Sequence, residues 1–292
     1  MSDDGGGTGK LRDEYGVLPP GDVRQCLVAL SDAPEVRDLF SFRFGSGSLK
    51  NQTIGNIMLS GLELQHGCFE KAIEVASSIL SIRGRVVPVT TEKHTLVMQD
   101  GDTLVRGESH ISKHAVTSKT TTLTHEPPAH INPRATEAIT DADLVVIAPG
   151  DHNSSILAAL AVNGMAEAIA GSKAKIVAMT NLVTKPTQTH GWHVSDFAKS
   201  YEHYIGEGQL DYVLYNNRLP SSELLQRYAK EGELAVSTEP QRMKEIQAKA
   251  IGAALVANEV FIQDANDTII KRTLIRHDAA EATRQLLKIY AG

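Results

Sequence analysis

The chain has 292 residues, room for one large domain or two ordinary ones, and a hydrophobic share of 41% supports a packed core. A net charge of −6 without any basic tract argues against a nonspecific nucleic-acid binder. The two cysteines, Cys26 and Cys68, sit in no metal or redox motif, and no leader peptide or long apolar run stands out. The expectation is a soluble cytoplasmic protein with neither a membrane nor a nucleic-acid partner.

The chain opens on a glycine-rich run, Asp3-Asp4-Gly5-Gly6-Gly7-Thr8-Gly9-Lys10. It is no Walker loop. Counting back from Gly9-Lys10 reaches Asp4 where that pattern needs glycine, and Leu11 follows the lysine. What remains is a nest of backbone N–H groups beside two carboxylates, suited to a phosphate or a polar sugar, or an unstructured terminus. The carboxylates fit such a ligand if they bind its hydroxyls or hold a magnesium ion. Asp22 follows Pro19-Pro20-Gly21 and precedes an amphipathic run of Val23, Cys26, Leu27 and Leu30. With Gln25 it reads as a capping-box variant. Gly55-Asn56 opens an apolar helix, with Asn56 as its expected N-cap.

Beyond this point short β-rich runs alternate with helical patterns. Strands are expected at Arg85–Val89, Leu144–Ala148, Lys175–Met179 and Asp211–Tyr215, with helices near Ile156–Ala170 and Ser195–Ile205. Continuous apolar strands between helices predict an α/β fold, a Rossmann-like doubly wound and mostly parallel sheet. His94–Met98 and Thr103–Gly107 flank an Asp-Gly turn signal, so an antiparallel hairpin over about 94–109 is expected to interrupt this frame. The Thr- and Pro-rich stretch Thr117–Arg134 reads as a loop or irregular edge.

Open α/β sheets bind ligands beyond the carboxyl ends of their strands. Leu144–Ala148 runs into Pro149-Gly150-Asp151-His152-Asn153-Ser154-Ser155 and then a helix. Gly150 allows close backbone approach, the helix start offers N–H groups, and Ser154 and Ser155 add hydroxyls. Alternatively Asn153 or Ser154 caps the helix. Lys175–Met179 leads into a polar loop carrying Asn181, Thr184, Pro186, Thr189 and Gly191, which is either a hydroxyl-reading surface or ordinary loop chemistry. Arg276, after the strand-like Thr273–Ile275, suits a diphosphate or a surface ion pair. Tyr228 is placed to stack on a base or to pack. His277 reads as structural, since no nucleophile is visibly paired with it.

Asp3 to Leu30, DDGGGTGKLRDEYGVLPPGDVRQCLVAL, resembles the signature of the YvcK-type proteins, the gluconeogenesis factors, which share a superfamily with CofD, the 2-phospho-L-lactate transferase. The likeness continues through QTIGNIML (52–59), DGDTLVRGES (100–109), DLVVIAPGDHNSSI (143–156), NLVTKPTQTHGWHVSDF (181–197), DYVLYNN (211–217) and IRHD (275–278). It implies a UDP-sugar-binding regulator, UDP-N-acetylglucosamine foremost, linking gluconeogenic growth to cell-wall precursor supply and cell shape. The implied contacts are Asp3 to Gly9, Asn56, Gly150, Asn153 to Ser155, Asn181, Thr184, Thr189, Gly191, Tyr228 and Arg276.

The same resemblance implies a rival, a CofD-like transferase of deazaflavin coenzyme synthesis, with magnesium held by Asp4 and Asp22. A third alternative is a truncated paralogue that makes only protein contacts. A homo-oligomer and a protein partner in cell-wall precursor synthesis fit the regulator reading. Family members place a strand and a first glycine-rich turn ahead of Asp-Asp-Gly-Gly, so the expectation is one CofD/YvcK-like domain over 1–292, truncated at its N-terminus. Asp151-His152-Asn153 stands where the family usually carries a Ser-Leu-Tyr-like stretch, which bears on ligand identity.

Overall fold

A computed structural model describes residues 6–118, 121–257 and 274–292. Its first layer is helical: α1 (Gly6–Tyr15), α2 (Gly21–Ala29), α3 (Pro34–Ser41), α4 (Ile54–His66) and α5 (Phe69–Leu80). Leu27, Phe40, Leu59, Phe69, Ile73 and Leu80 close a core between these helices. α4 begins where the Thr53 hydroxyl accepts the Asn56 N–H and ends at Gly67, whose φ of 64° is the left-handed stop that favours glycine. The expected amphipathic face of α2 buries Val23 and Leu27, but Cys26 and Leu30 face outward.

The expected hairpin forms as β1 (Thr95–Asp100) and β2 (Thr103–Arg106), in register Asp100↔Thr103 around the Asp-Gly turn. It grows into a three-stranded antiparallel sheet. After the short α6 (Glu108–Ile111), β3 (Thr122–Glu126) pairs with the other edge of β1 in the order β2-β1-β3. The stretch read as a loop thus holds a strand, its Leu123 and His125 alternating inward. Arg85–Val89 is not a strand. Pro88 has no N–H to give a ladder, and the carbonyls of Pro88 and Val89 are taken by Asn132. Asn132 also caps α7 (Pro133–Thr140), accepting from the Arg134 N–H.

The second half builds a four-stranded parallel sheet, β4 (Leu144–Ile147), β5 (Lys175–Met179), β6 (Tyr212–Asn216) and β7 (Lys249–Ala253), in chain order. Helices cover both faces, the doubly wound arrangement. Ile176 and Ala178 turn toward α9 (Met165–Ala170) and α10 (Val194–Ile205), meeting Phe197, Tyr201 and Ile205. The intervening Val177 and Met179 turn toward α11 (Ser222–Ala229) and α13 (Ala279–Ala291), meeting Tyr228 and Ile289. α12 (Pro240–Met243) leads toward β7. α10 is entered through a capping box: His193 Nδ1 accepts the Ser195 N–H at 2.9 Å, and Asp196 accepts the His193 N–H at 2.8 Å.

The helix expected over Ile156–Ala170 is broken. A π-helical turn, His152–Leu157, runs into α8 (Ala158–Leu160), and a turn over 161–164 separates it from α9. Gly164 makes this possible. Its φ is 91°, and a Cβ there would lie 2.7 Å from Ile131 Cγ2.

Candidate functional site

The loops after β4 and β5 come together at the carboxyl edge of the sheet. Asn181 clasps them: its Oδ1 accepts the Gly150 N–H at 3.3 Å, and its Nδ2 donates to the Gly150 carbonyl at 2.9 Å. Asn153 is buried, its N–H donating to Gln188 Oε1 at 3.1 Å. Asp151, rather than Asn153 or Ser154, caps the π-helical turn through the Ser154 N–H at 3.4 Å. The Asp151 carbonyl accepts from Ser155 and Ile156. The N–H groups of 153 to 156, expected to face a ligand, are therefore spent inside the protein. Ser154 is buried and Ser155 is exposed.

The Asp151 carboxylate pairs with the Lys185 ammonium across the two loops, and Lys185 also reaches Ser112 Oγ at 3.4 Å, just beyond α6. Burial would raise the Asp151 pKa, but the charge and hydrogen bond of Lys185 with the Ser154 contact hold it below its ordinary value. Val116 donates to the Thr187 carbonyl at 2.8 Å, so the chain between α6 and β3 leans on the same loop. That chain is anchored by buried Asp100, which accepts from Thr117 N (2.8 Å), Thr117 Oγ1 (3.0 Å), Ser118 N (2.9 Å) and His114 Nε2 (2.9 Å).

Behind the edge His152 is packed edge-on against Trp192 and Phe197 at ring distances of 4.7 and 5.4 Å, with Nε2 2.9 Å from Ser200 Oγ. Burial drops its pKa to about 3, so the ring is neutral at physiological pH. Thr180, the residue after β5, is 1% exposed, and its hydroxyl has no hydrogen-bond partner among the described residues.

Other expected contacts serve the protein itself. Thr189 Oγ1 accepts the Lys185 N–H at 2.9 Å and Thr184 Oγ1 the Leu234 N–H at 3.1 Å, both as loop staples. Gly191 is exposed with φ 67°. The Tyr228 hydroxyl accepts the N–H groups of Leu274 and Ile275 at 2.6 and 3.0 Å inside the core. Leu274 and Ile275 are a bend rather than a strand end, and Thr273 lies outside the described residues. Beside Arg276, His277 Nε2 donates to the Thr180 carbonyl at 3.2 Å, a structural role that fixes the tautomer and brings this segment to the β5 edge.

At the amino end, the glycine-rich run from Gly6 is the first turn of α1; Asp3, Asp4 and Gly5 lie outside the described residues. Asn56 does not cap α4. Its side chain links α2 to α1, accepting Arg24 Nε at 3.0 Å and donating to Thr8 Oγ1 at 3.3 Å. Gly55 permits this closeness, since a Cβ there would stand 2.8 Å from Phe40 and 2.9 Å from Arg24. Asp22 is exposed in the first turn of α2; it is not the cap, which falls at Pro20 without a side-chain bond. Among the described residues no group of three or more His, Cys, Asp or Glu is arranged to hold a metal. Arg24, Lys185 and Gln188 leave no spacing signal in the sequence, because their partners lie far off along the chain, and nothing in the local pattern marks Thr180.

Residues 1–256 match the family model described as 2-phospho-L-lactate transferase CofD. The chain belongs to that family, in its YvcK-type gluconeogenesis-factor branch. A relative from Thermotoga maritima is 38% identical over 284 residues, covering 96% of this chain and 86% of the relative. The gluconeogenesis factor of Halalkalibacterium halodurans is 34% identical, covering 99% of this chain and 86% of its own length. The crystal structure of a UPF0052-family protein from Bacillus halodurans superposes with a TM-score of 0.88 at 33% identity, covering 98% of this chain and 88% of that one. Longer relatives from Nostoc and Clostridium acetobutylicum are each spanned over 62% of their length. Among the described residues no helix is long and apolar enough to cross a membrane.

Proposed function

We propose that this protein binds a UDP-sugar, UDP-N-acetylglucosamine foremost, at the carboxyl edge of β4 and β5, and acts in the cytoplasm as a regulator coupling gluconeogenic growth to cell-wall precursor supply and cell shape. The observation that carries the reading is the clasp of the two strand-end loops by Asn181, in a chain whose relatives are named gluconeogenesis factors over nearly its whole length. The buried Thr180 hydroxyl at the same edge, without a partner among the described residues, supports it, because a buried polar group calls for one. Arg276, beside this edge, is assigned to the diphosphate. Thermal-shift titration tests the reading. Ligand at about 100 times its dissociation constant stabilises by roughly 2.7 kcal/mol. UDP-N-acetylglucosamine should raise the melting temperature more than GDP.

A second reading, the transferase, is favoured by the name of the matching family model. Preference for GDP, strengthened by magnesium, would move the assignment there.

A further inference from the structure

We propose that Lys185 is a second cation, beside Arg276, with which this edge reads a phosphoryl group, and that Asp151 is its resident competitor. The inference rests on reading the edge as a ligand site. Lys185 is the only lysine or arginine within 149–155 and 181–191. It stands where three segments meet, pairing with Asp151 of the β4 loop from its own place in the β5 loop and reaching Ser112 beyond α6. The N–H groups at the start of the π-helical turn are already spent, so an anion arriving here finds its positive partner in a side chain and not in a helix end.

The two partners differ in freedom. The Lys185 side chain is 38% exposed against 25% for Asp151. Asp151 is also tied to the Ser154 N–H, which holds it in place without the lysine. An ammonium on a flexible stem swings toward a new anion, whereas the capping carboxylate stays. A phosphoryl group therefore gains Lys185 but meets the like charge of Asp151, and the pair sets the affinity of the edge for anions.

The test is calorimetric titration of the full chain and its Asp151→Asn and Lys185→Gln variants at low salt, with inorganic pyrophosphate and, separately, UDP-N-acetylglucosamine. Asparagine caps a helix as well as aspartate does, so Asp151→Asn keeps the turn while removing the competitor. Lys185→Gln should weaken pyrophosphate binding about tenfold or more, the share of a charge-assisted contact, and Asp151→Asn should tighten it. Lys185→Arg should restore most of the affinity lost with glutamine. Equal pyrophosphate affinity in all forms, or binding by none, overturns the inference. Loss of UDP-sugar binding alone, with the pyrophosphate pattern intact, defeats the nucleotide-sugar reading and leaves Lys185 its role. UDP-sugar binding indifferent to both substitutions defeats the inference alone.

Discussion

Replacing Asp100 by asparagine should destabilise the protein and make it less sensitive to acid. The Asp100 carboxylate is 2% exposed and accepts four hydrogen bonds, from two N–H groups, a hydroxyl and an imidazole. Asparagine keeps the shape but removes the charge, and its NH2 faces donors that aspartate had satisfied. A buried donor left unmatched costs about 1–3 kcal/mol, and the surviving bonds lose their charge assistance, so a loss of ~3 kcal/mol is expected. At about 2–4 °C per kcal/mol for a chain of this size, the melting temperature should fall by roughly 6–12 °C. Burial alone would raise the Asp100 pKa, but bonds from Thr117, His114 and Ser118 hold it below the usual carboxylate value. Its contribution is then complete above the unfolded value near ~4 and is lost as pH falls through the lower folded value. Urea unfolding at a series of pH values reads both effects. A variant as stable as the parent, or one with an unchanged acid limb below about pH 4, would refute the claim that this carboxylate pins the chain against the β5 loop.

Two glycines of α4 should respond oppositely to alanine. Gly55→Ala drives a Cβ to 2.8 Å from the Phe40 carbonyl oxygen and should cost about 1–3 kcal/mol. Gly61→Ala meets nothing within 4 Å and should stabilise by up to ~1 kcal/mol, both by urea unfolding. His152→Leu should flatten the acid limb of stability. The His152 ring titrates near 6.5 when unfolded but at about 3 when folded, so stability should fall with pH between those values, by up to ~1.4 kcal/mol per unit from this ring. An identical slope in the variant would place the acid sensitivity elsewhere.

The inner strand Lys175–Met179 was legible because burial on both faces leaves an unbroken apolar run, and Leu144–Ile147, at the end of the sheet order, carries the same composition. The Asp-Gly turn announced β1 and β2 because few residues tolerate the φ of 57° at Gly101. β7, Lys-Ala-Ile-Gly-Ala, carries almost no strand propensity and is recruited by its register with β6. Arg85–Val89 has the composition of a strand, but Pro88 and the Asn132 side chain divert its backbone. The loops after β4 and β5 begin where the apolar runs predict the strands to end. The Asp151–Lys185 pair and the Asn181 clasp were not legible, because each joins residues more than thirty positions apart.

The most direct test of the account is amide hydrogen exchange of the full chain with and without UDP-N-acetylglucosamine. Binding at the carboxyl edge of β4 and β5 predicts slowed exchange at 149–155 and 181–191. The groove between α5 and Arg85–Pro88, lined by Glu70, Glu74 and Arg134, should stay unchanged. Protection confined to that groove, or exchange unaltered at saturating ligand, would contradict it.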